Sequence, residues 1–235
     1  MTLLGIETAT TVCAAAVVRD GTVLAEELVD ERNVHAERLM SMIDAVFRQS
    51  GTRLEKMDGI AVSIGPGSFT GLRIGLSVAK GLAYASGKPI LPVPTLEGLA
   101  EKAAHAGGKE SRDRLILPVL DARRGDVYCA LYKRTGGDLQ QVWEQQIMPL
   151  EAVAAAVQEW QVLVTGDARE ALGQMVRARF PESAGRVEIM TGEGARCSAV
   201  EVARIGTQML TAGKMADPGL LEPHYLRDFL TTTSH

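Results

Sequence analysis

The chain opens on a short apolar run that ends on an acid, "LLGIE", turns through "TATT" and enters a hairpin, "VCAAAVVRDGTVLAEELV". Later the same unit returns. "LILPVLD" ends on Asp121, "ARRGD" turns, "VYCALYKR" reads as a strand, "TGGD" turns again and "LQQVWEQQ" continues. A strand–acid–hairpin unit at the head of each half marks an internal duplication. No other feature constrains the fold as strongly, because it demands two sheets begun in the same way. Asp20-Gly21 in the first hairpin supplies the two positive-φ residues of a tight type I′ turn. Helices follow the first unit. In "NVHAERLMSMIDAVFRQSG", Leu39, Ile43 and Val46 recur at helical spacing, with Asn33 as the expected N-cap and Gly51 as the stop. "MDGIAVSIGPG" reads as a strand running into a glycine turn, followed by a helix from about Thr70 to Ala85. "GKPILPVPT" gives a strand and "LEGLAEKAAHAG" a helix.

The breaker-rich "HAGGKESRDR" separates the halves. After the second hairpin come a strand in "QVLVTGD", helices in "AREALGQMVRARF" and "AVEVARIGTQMLTAG", and an irregular tail, "DPGLLEPHYLR". Two such halves predict an α/β protein of actin-like architecture, the fold of acetate and sugar kinases. It would have two duplicated subdomains, 1–105 and 106–235, the second in reduced form. In that architecture the turns of the two halves face a cleft, and Glu7 and Asp121 stand at its edge. Paired carboxylates there suit a hydrated cation or, as the stronger reading, hydrogen bonds from turn N–H groups.

Aliphatic residues and alanine must build the core, since only 4% of the residues are aromatic while 46% are hydrophobic. The balance of 25 basic against 29 acidic residues argues against a chain that grips nucleic acid unaided. No apolar run approaches a membrane span and no leader pattern stands at the N-terminus, so a cytoplasmic protein is expected. Cys13, Cys129 and Cys197 lack metal-ligand spacing and read as reduced, buried thiols.

The stretch from Ser63 to Gly75, "SIGPGSFTGLRIG", has the outline of a phosphate loop: a strand, glycines, then a helix N-terminus. It is not a Walker loop, for no G-K-[ST] follows, and Pro66 removes an N–H from the nest. A tight connection is the stronger reading. In the helix beyond, Gly71, Gly75, Ala79 and Ala83 recur every fourth residue as a smooth strip on which a second helix could pack closely. Helical glycines cost about 1 kcal/mol each relative to alanine, so something must compensate, either packing within the domain or a partner helix. With Leu39, Met40 and Ile43 of the preceding helix, the strip is the expected partner interface, and Gly75→Leu or Ala79→Leu is expected to block docking.

Together "LGIETATTVCAAAV", "HAERLMSMI", "GPGSFTGLRIGLSVAKGLA", "PVPTLEGLA", "DARRGDVYCALY" and "EPHYLR" resemble the bacterial TsaB (YeaZ) family over nearly the whole chain. The resemblance implies a subunit of the machinery that makes N6-threonylcarbamoyladenosine at position 37 of ANN-decoding tRNAs. It implies pairing with a TsaD-type catalytic subunit of the same fold and with a TsaE-type ATPase, a homodimer in isolation, and a dimer surface on the first two helices. Thr95 and Leu99 in "TLEGL" stand where the catalytic relatives carry the histidines of H-x-x-x-H, and leucine cannot ligate a metal. Thr11 and Val12 replace the acids of their "IETSCDE", and "VTGD" stands where they carry "SGG". The resemblance thus implies a non-catalytic chain with no catalytic, cofactor or metal residues of its own, ATP and a metal ion belonging to partner subunits, and tRNA met only through the complex. The alternatives are an actin-like ATP-dependent phosphotransferase or a metalloprotease-like enzyme with a degenerate site. His35, His105, His224 and His235 show no ligand spacing, and Arg123 and Arg124 in "DARRGD" read as a solvated turn rather than a phosphate grip.

Overall fold

The computed structural model describes residues 1–106, 113–136 and 138–226. The first half runs β1 (Thr2–Glu7), β2 (Val12–Arg19), β3 (Thr22–Asp30), α1 (His35–Gln49), β4 (Gly59–Gly65), α2 (Phe69–Ser86), β5 (Ile90–Pro94) and α3 (Thr95–Ala106). The second runs β6 (Asp113–Asp121), β7 (Asp126–Thr135), β8 (Asp138–Pro149), α4 (Leu150–Val157), β9 (Val162–Thr165), α5 (Arg169–Arg179), β10 (Val187–Ile189) and α6 (Ala199–Thr211). Their sheets are ordered β3-β2-β1-β4-β5 and β8-β7-β6-β9-β10, the same order in each half. In both, the first three strands pair antiparallel and the rest join in parallel. The duplication read from the hairpins therefore extends to the whole sheet.

Side chains alternate across each strand, and here both faces are apolar. In β2, Cys13, Ala15 and Val17 point into a core with Leu39, Ile43 and Val46 of α1 and Leu76 and Ala79 of α2. Ala14, Ala16 and Val18 point the other way, into a core shared by the two sheets. In the second sheet, Ile116 and Leu120 join this shared core, while Leu117 and Val119 pack with Val153 of α4 and Leu172 of α5. Burying each such Leu, Ile or Val side chain is worth about 1.5–3 kcal/mol. Alternate faces of one strand thus bind it to two layers at once.

Between the sheets lie α3 and α6, and they are exchanged. The last helix, α6, packs on β1, β2 and β4 of the first sheet, whereas α3 packs chiefly on β6, β7 and β9 of the second. The approach of α6 is close. A Cβ on Gly5 would stand 2.0 Å from the Ala199 carbonyl oxygen, and one on Gly206 would stand 2.5 Å from Ala61 Cβ. Each sheet lies wholly on one side of the 105/106 division, but α3 and α6 do not respect it.

The Asp20-Gly21 turn has φ of 48° and 79°, as the hairpin requires. Gly51, at φ 63°, follows the Ser50 C-cap of α1. Asn33 is not the N-cap. It adopts φ 63°, and Val34 is the capping residue, without a side-chain cap hydrogen bond. The polar loop before α1 spends its asparagine on a left-handed bend, a conformation asparagine tolerates better than most residues. The helix α4 and the short β10 complete the second half without having been foreseen.

Candidate functional site

A cleft of about 1000 Å³ opens between the halves. Its walls are the β1–β2 loop at Ala9–Thr11, the N-terminus of α2 at Ser68–Gly71, the β6–β7 turn at Asp121–Arg124, and the tail at His224–Leu226. The acid of the first half sits beneath it. Glu7 is buried and its Oε1 accepts hydrogen bonds from Ala9 N at 2.6 Å and Ser63 Oγ at 3.0 Å. Burial outweighs these bonds and pushes its carboxyl up to about 7. Asp121, by contrast, has a side chain 53% exposed. Its Oδ1 accepts from Arg123 N at 2.8 Å, and its own N–H donates to Asp167 Oδ1 at 2.8 Å. Both acids accept turn N–H groups, the stronger of the two readings of these positions.

The glycine loop is filled from within. Ser68 N donates to the Ala9 carbonyl at 2.7 Å, and Ser68 Oγ caps α2 by accepting from Gly71 N at 3.2 Å. A Cβ on Gly67 would stand 2.3 Å from the Ala9 oxygen. The β1–β2 backbone thus takes the place along the loop that a phosphate would need. Turn strain gathers around the cleft as well. Arg123 and Arg124 adopt φ of 68° and 59°, and Asn33 lies on the same rim.

The strip of small residues requires a correction. Gly71, Gly75, Ala79 and Ala83 are buried, and they face the interior of their own half. A Cβ on Gly71 would stand 2.1 Å from the Thr8 carbonyl oxygen, and one on Gly75 would stand 2.2 Å from Thr8 Oγ1. The glycines let α2 lie directly on the end of β1, so the compensation for their helical cost is internal packing. Leu39 and Ile43 are buried against the sheet. Of the seven residues expected at an interface, Met40 alone is exposed, at 52%. Gly75→Leu and Ala79→Leu therefore act on the fold, and cannot serve as probes of docking.

Thr95 and Leu99 are sealed in the protein. Thr95 Oγ1 accepts from Gly65 N at 3.1 Å, and Leu99 belongs to the shared core. Among the described residues no group of three or more His, Cys, Asp or Glu comes together as metal ligands. The three thiols are buried, and burial pushes Cys13 and Cys129 up to about 11. His35 Nε2 lies 3.2 Å from the Val12 carbonyl oxygen, and His105 pairs with Glu201. His235 lies outside the described residues.

Sequence reasoning missed the work of the tail. Ala216 N donates to the Ile90 carbonyl at 3.1 Å and His224 N to that of Ile64 at 2.7 Å, so the tail straps the first half at two points. At its end Tyr225 lies against Phe69, ring centroids 5.3 Å apart. Arg73 stacks 3.6 Å from the Phe69 centroid and donates through Nε to the Tyr225 hydroxyl at 3.0 Å. The signal was the "YLR" ending, which a stretch without periodicity could not connect to α2.

TsaB, the tRNA threonylcarbamoyladenosine biosynthesis protein of Escherichia coli, is 34% identical to the chain over 97% of its length and 95% of its own. The chain belongs to the TsaB family. The Bacillus subtilis TsaB is 38% identical over 62% of the chain and 61% of its own length. A family model described as tRNA N6-adenosine threonylcarbamoyltransferase, TsaD, matches residues 24–208. YeaZ from Pseudomonas aeruginosa superposes with a TM-score of 0.77 at 23% identity, covering 96% of this chain and 99% of that one. The ROK hexokinase of Thermus thermophilus superposes with a TM-score of 0.52 at 14% identity, over 88% and 99%. These two likenesses concern the fold, which is the actin-like one of sugar kinases.

Proposed function

We propose that this TsaB-family chain is a non-catalytic subunit of the machinery that forms N6-threonylcarbamoyladenosine at position 37 of ANN-decoding tRNAs. It pairs with a TsaD-type catalytic subunit and a TsaE-type ATPase, and with itself when alone. The observation that carries the proposal is the similarity to E. coli TsaB along almost the entire length of both chains, since that protein's name places it in this biosynthesis. Site chemistry supports the non-catalytic part. Thr95 and Leu99 are locked in the core, the glycine loop is occupied by Ala9, and the Glu7 carboxyl is already engaged by Ala9 N and Ser63 Oγ. ATP and a metal ion then belong to the partner subunits. A net charge of −4 leaves the gripping of tRNA to them as well. With the small-residue strip turned inward, the outer faces of α1 and α2, where Met40 and Tyr84 are exposed, remain for docking. Among the described residues no helix is long and apolar enough to cross a membrane, and the proposed place of action is the cytoplasm.

An omission assay tests this. A TsaD-type subunit, a TsaE-type ATPase, unmodified tRNA and a source of threonylcarbamoyl-adenylate are incubated with and without the chain, and modified nucleoside is scored. Repeated turnover is expected only with the chain present. Equal yield without it overturns the proposal.

A further inference from the structure

The chain crosses between its halves twice, once leaving β5 through α3 and once returning through α6. Any opening of the cleft must pivot where these exchanged helices meet, because each belongs by sequence to one half and packs chiefly on the other. At this crossing stands a buried carboxylate. Glu201 of α6 is 2% exposed. Its Oε2 lies 3.1 Å from His105 Nδ1 of α3, and its Oε1 accepts from Arg204 Nη1 at 2.8 Å. Arg204 reaches on to the Gly21 carbonyl in the β2–β3 turn, at 3.3 Å from Nη2. A polar chain therefore runs from α3 through α6 to the far hairpin of the first sheet. We propose that His105, Glu201 and Arg204 form a protonation-sensitive latch at this pivot, which holds the two halves more firmly in one relative position while His105 is charged than when it is neutral.

The physical basis is the strength of a charge-assisted hydrogen bond to a carboxylate that water does not reach. The hydrogen bond to Glu201 holds His105 above its ordinary value of 6.5. Burial pushes Glu201 up, but the bond from His105 and the charges of His105, Arg204 and Lys102 outweigh it and hold it below its ordinary 4.5. The groups facing the pair are mixed in sign: Glu101 and Lys102 on α3, Glu26 on β3 and Arg204 itself, with Glu193 in the turn at 192–195 acting on Glu26 and Arg134 on β7 acting on Glu101. Because His105 is raised, its contribution is complete below 6.5 and is lost as pH rises through its folded value. Because Glu201 is lowered, its contribution is complete above 4.5 and is lost as pH falls through its folded value. The latch is closed between these limits and opens on the alkaline side, in the range where histidine switches operate.

The test measures the cleft itself. Spin labels on Thr70→Cys and Arg124→Cys stand on opposite walls, and the three native thiols are buried. Pulsed electron-spin distances are taken at about pH 5.5 and about pH 8.5, on either side of the histidine range. The wild-type latch is expected to give a narrow distribution at the lower pH that broadens to longer distances at the higher. His105→Gln should give the broad distribution at both, and His105→Arg, with a permanent cation, the narrow one at both. His105 is partly exposed, so these variants test the latch without opening the core, and thermal melts verify that they fold. A wild-type distribution that does not change with pH overturns the proposal. So does a pH-dependent change that survives in His105→Gln.

Discussion

Glu7 and Asp121 each close the first strand of their sheet, at the same position of the repeat. Glu7 is sealed under the α2 N-terminus, bonded to Ser63 and Ala9 and largely neutral in the lower part of its range. Asp121 stands half in water, and its carboxylate accepts from its own turn. The difference comes from the helix that follows. In the first half, Gly71 and Gly75 let α2 lie on Thr8 and close over the acid. In the second half, α5 is shorter, with 11 residues against the 18 of α2, and its Gly173 meets Ile189 of β10 instead of the β6 end. One duplicated element has become core and the other has stayed a rim. Position in a repeat therefore fixes the backbone but not the chemistry of the side chain.

The sharpest way to break this comparison is to lift α2 off β1. Gly71→Ala places a methyl group where the Thr8 carbonyl already stands, and it is expected to destabilise the protein by about 3 kcal/mol or more. On the same helix Gly81 has nothing within 4 Å of its missing Cβ, so Gly81→Ala should stabilise by about 1 kcal/mol. Urea unfolding of both variants decides the matter, and equal midpoints would show that the strip does not bear on Thr8.

Titration sharpens the comparison. The folded value of Glu7, about 7, lies above its ordinary 4.5, so its contribution is complete below 4.5 and is lost as pH rises through 7. The loss amounts to at most about 3 kcal/mol. Glu7→Gln keeps an acceptor for Ala9 and Ser63 without the charge, and it should remove this part of the pH dependence while stabilising the protein above neutrality. Asp121→Asn should change stability by about 1 kcal/mol or less. Chemical unfolding from acid to mildly alkaline pH reads both, and an unchanged slope in Glu7→Gln would falsify the account of the sealed acid.

The smallest effect belongs to the open rim. Arg124 holds φ 59° in a turn whose left-handed geometry glycine adopts freely. Arg124→Gly should gain up to about 1 kcal/mol, visible as a raised melting temperature. A lowered one would mean that the guanidinium contributes more than the strain removes.

Much of this was legible in the sequence for definite reasons. The hairpins and the duplication show in alternating strands and in Asp20-Gly21, because those signals are local. The thiols and the acids' turn hydrogen bonds also followed from residue type and spacing, whereas the histidines missing at Thr95 and Leu99 were legible only through the resemblance to the TsaB family. The facing of the small-residue strip did not. A row of Gly and Ala states that something comes close, and only the position of Thr8 states that it is β1. Asn33 was misplaced for a similar reason, since an asparagine before a helix serves equally as a cap or as a left-handed bend. The pairing of His105 with Glu201 and of Arg73 with Tyr225 joins residues far apart in the chain, and no periodicity links them.

The exchange of α3 and α6 has a consequence for how the chain is made. While the polypeptide emerges from the ribosome, the first sheet can be assembled once β5 is out, but one of its faces stays bare. The helix that covers it, Ala199–Thr211, follows the whole second sheet, and the tail that straps Ile64 and Ile90 comes later still. The first half must therefore wait through the synthesis of the entire second sheet with Leu3, Ala61 and Leu91 uncovered. Such an interval of exposed apolar surface is when a nascent chain depends on chaperones.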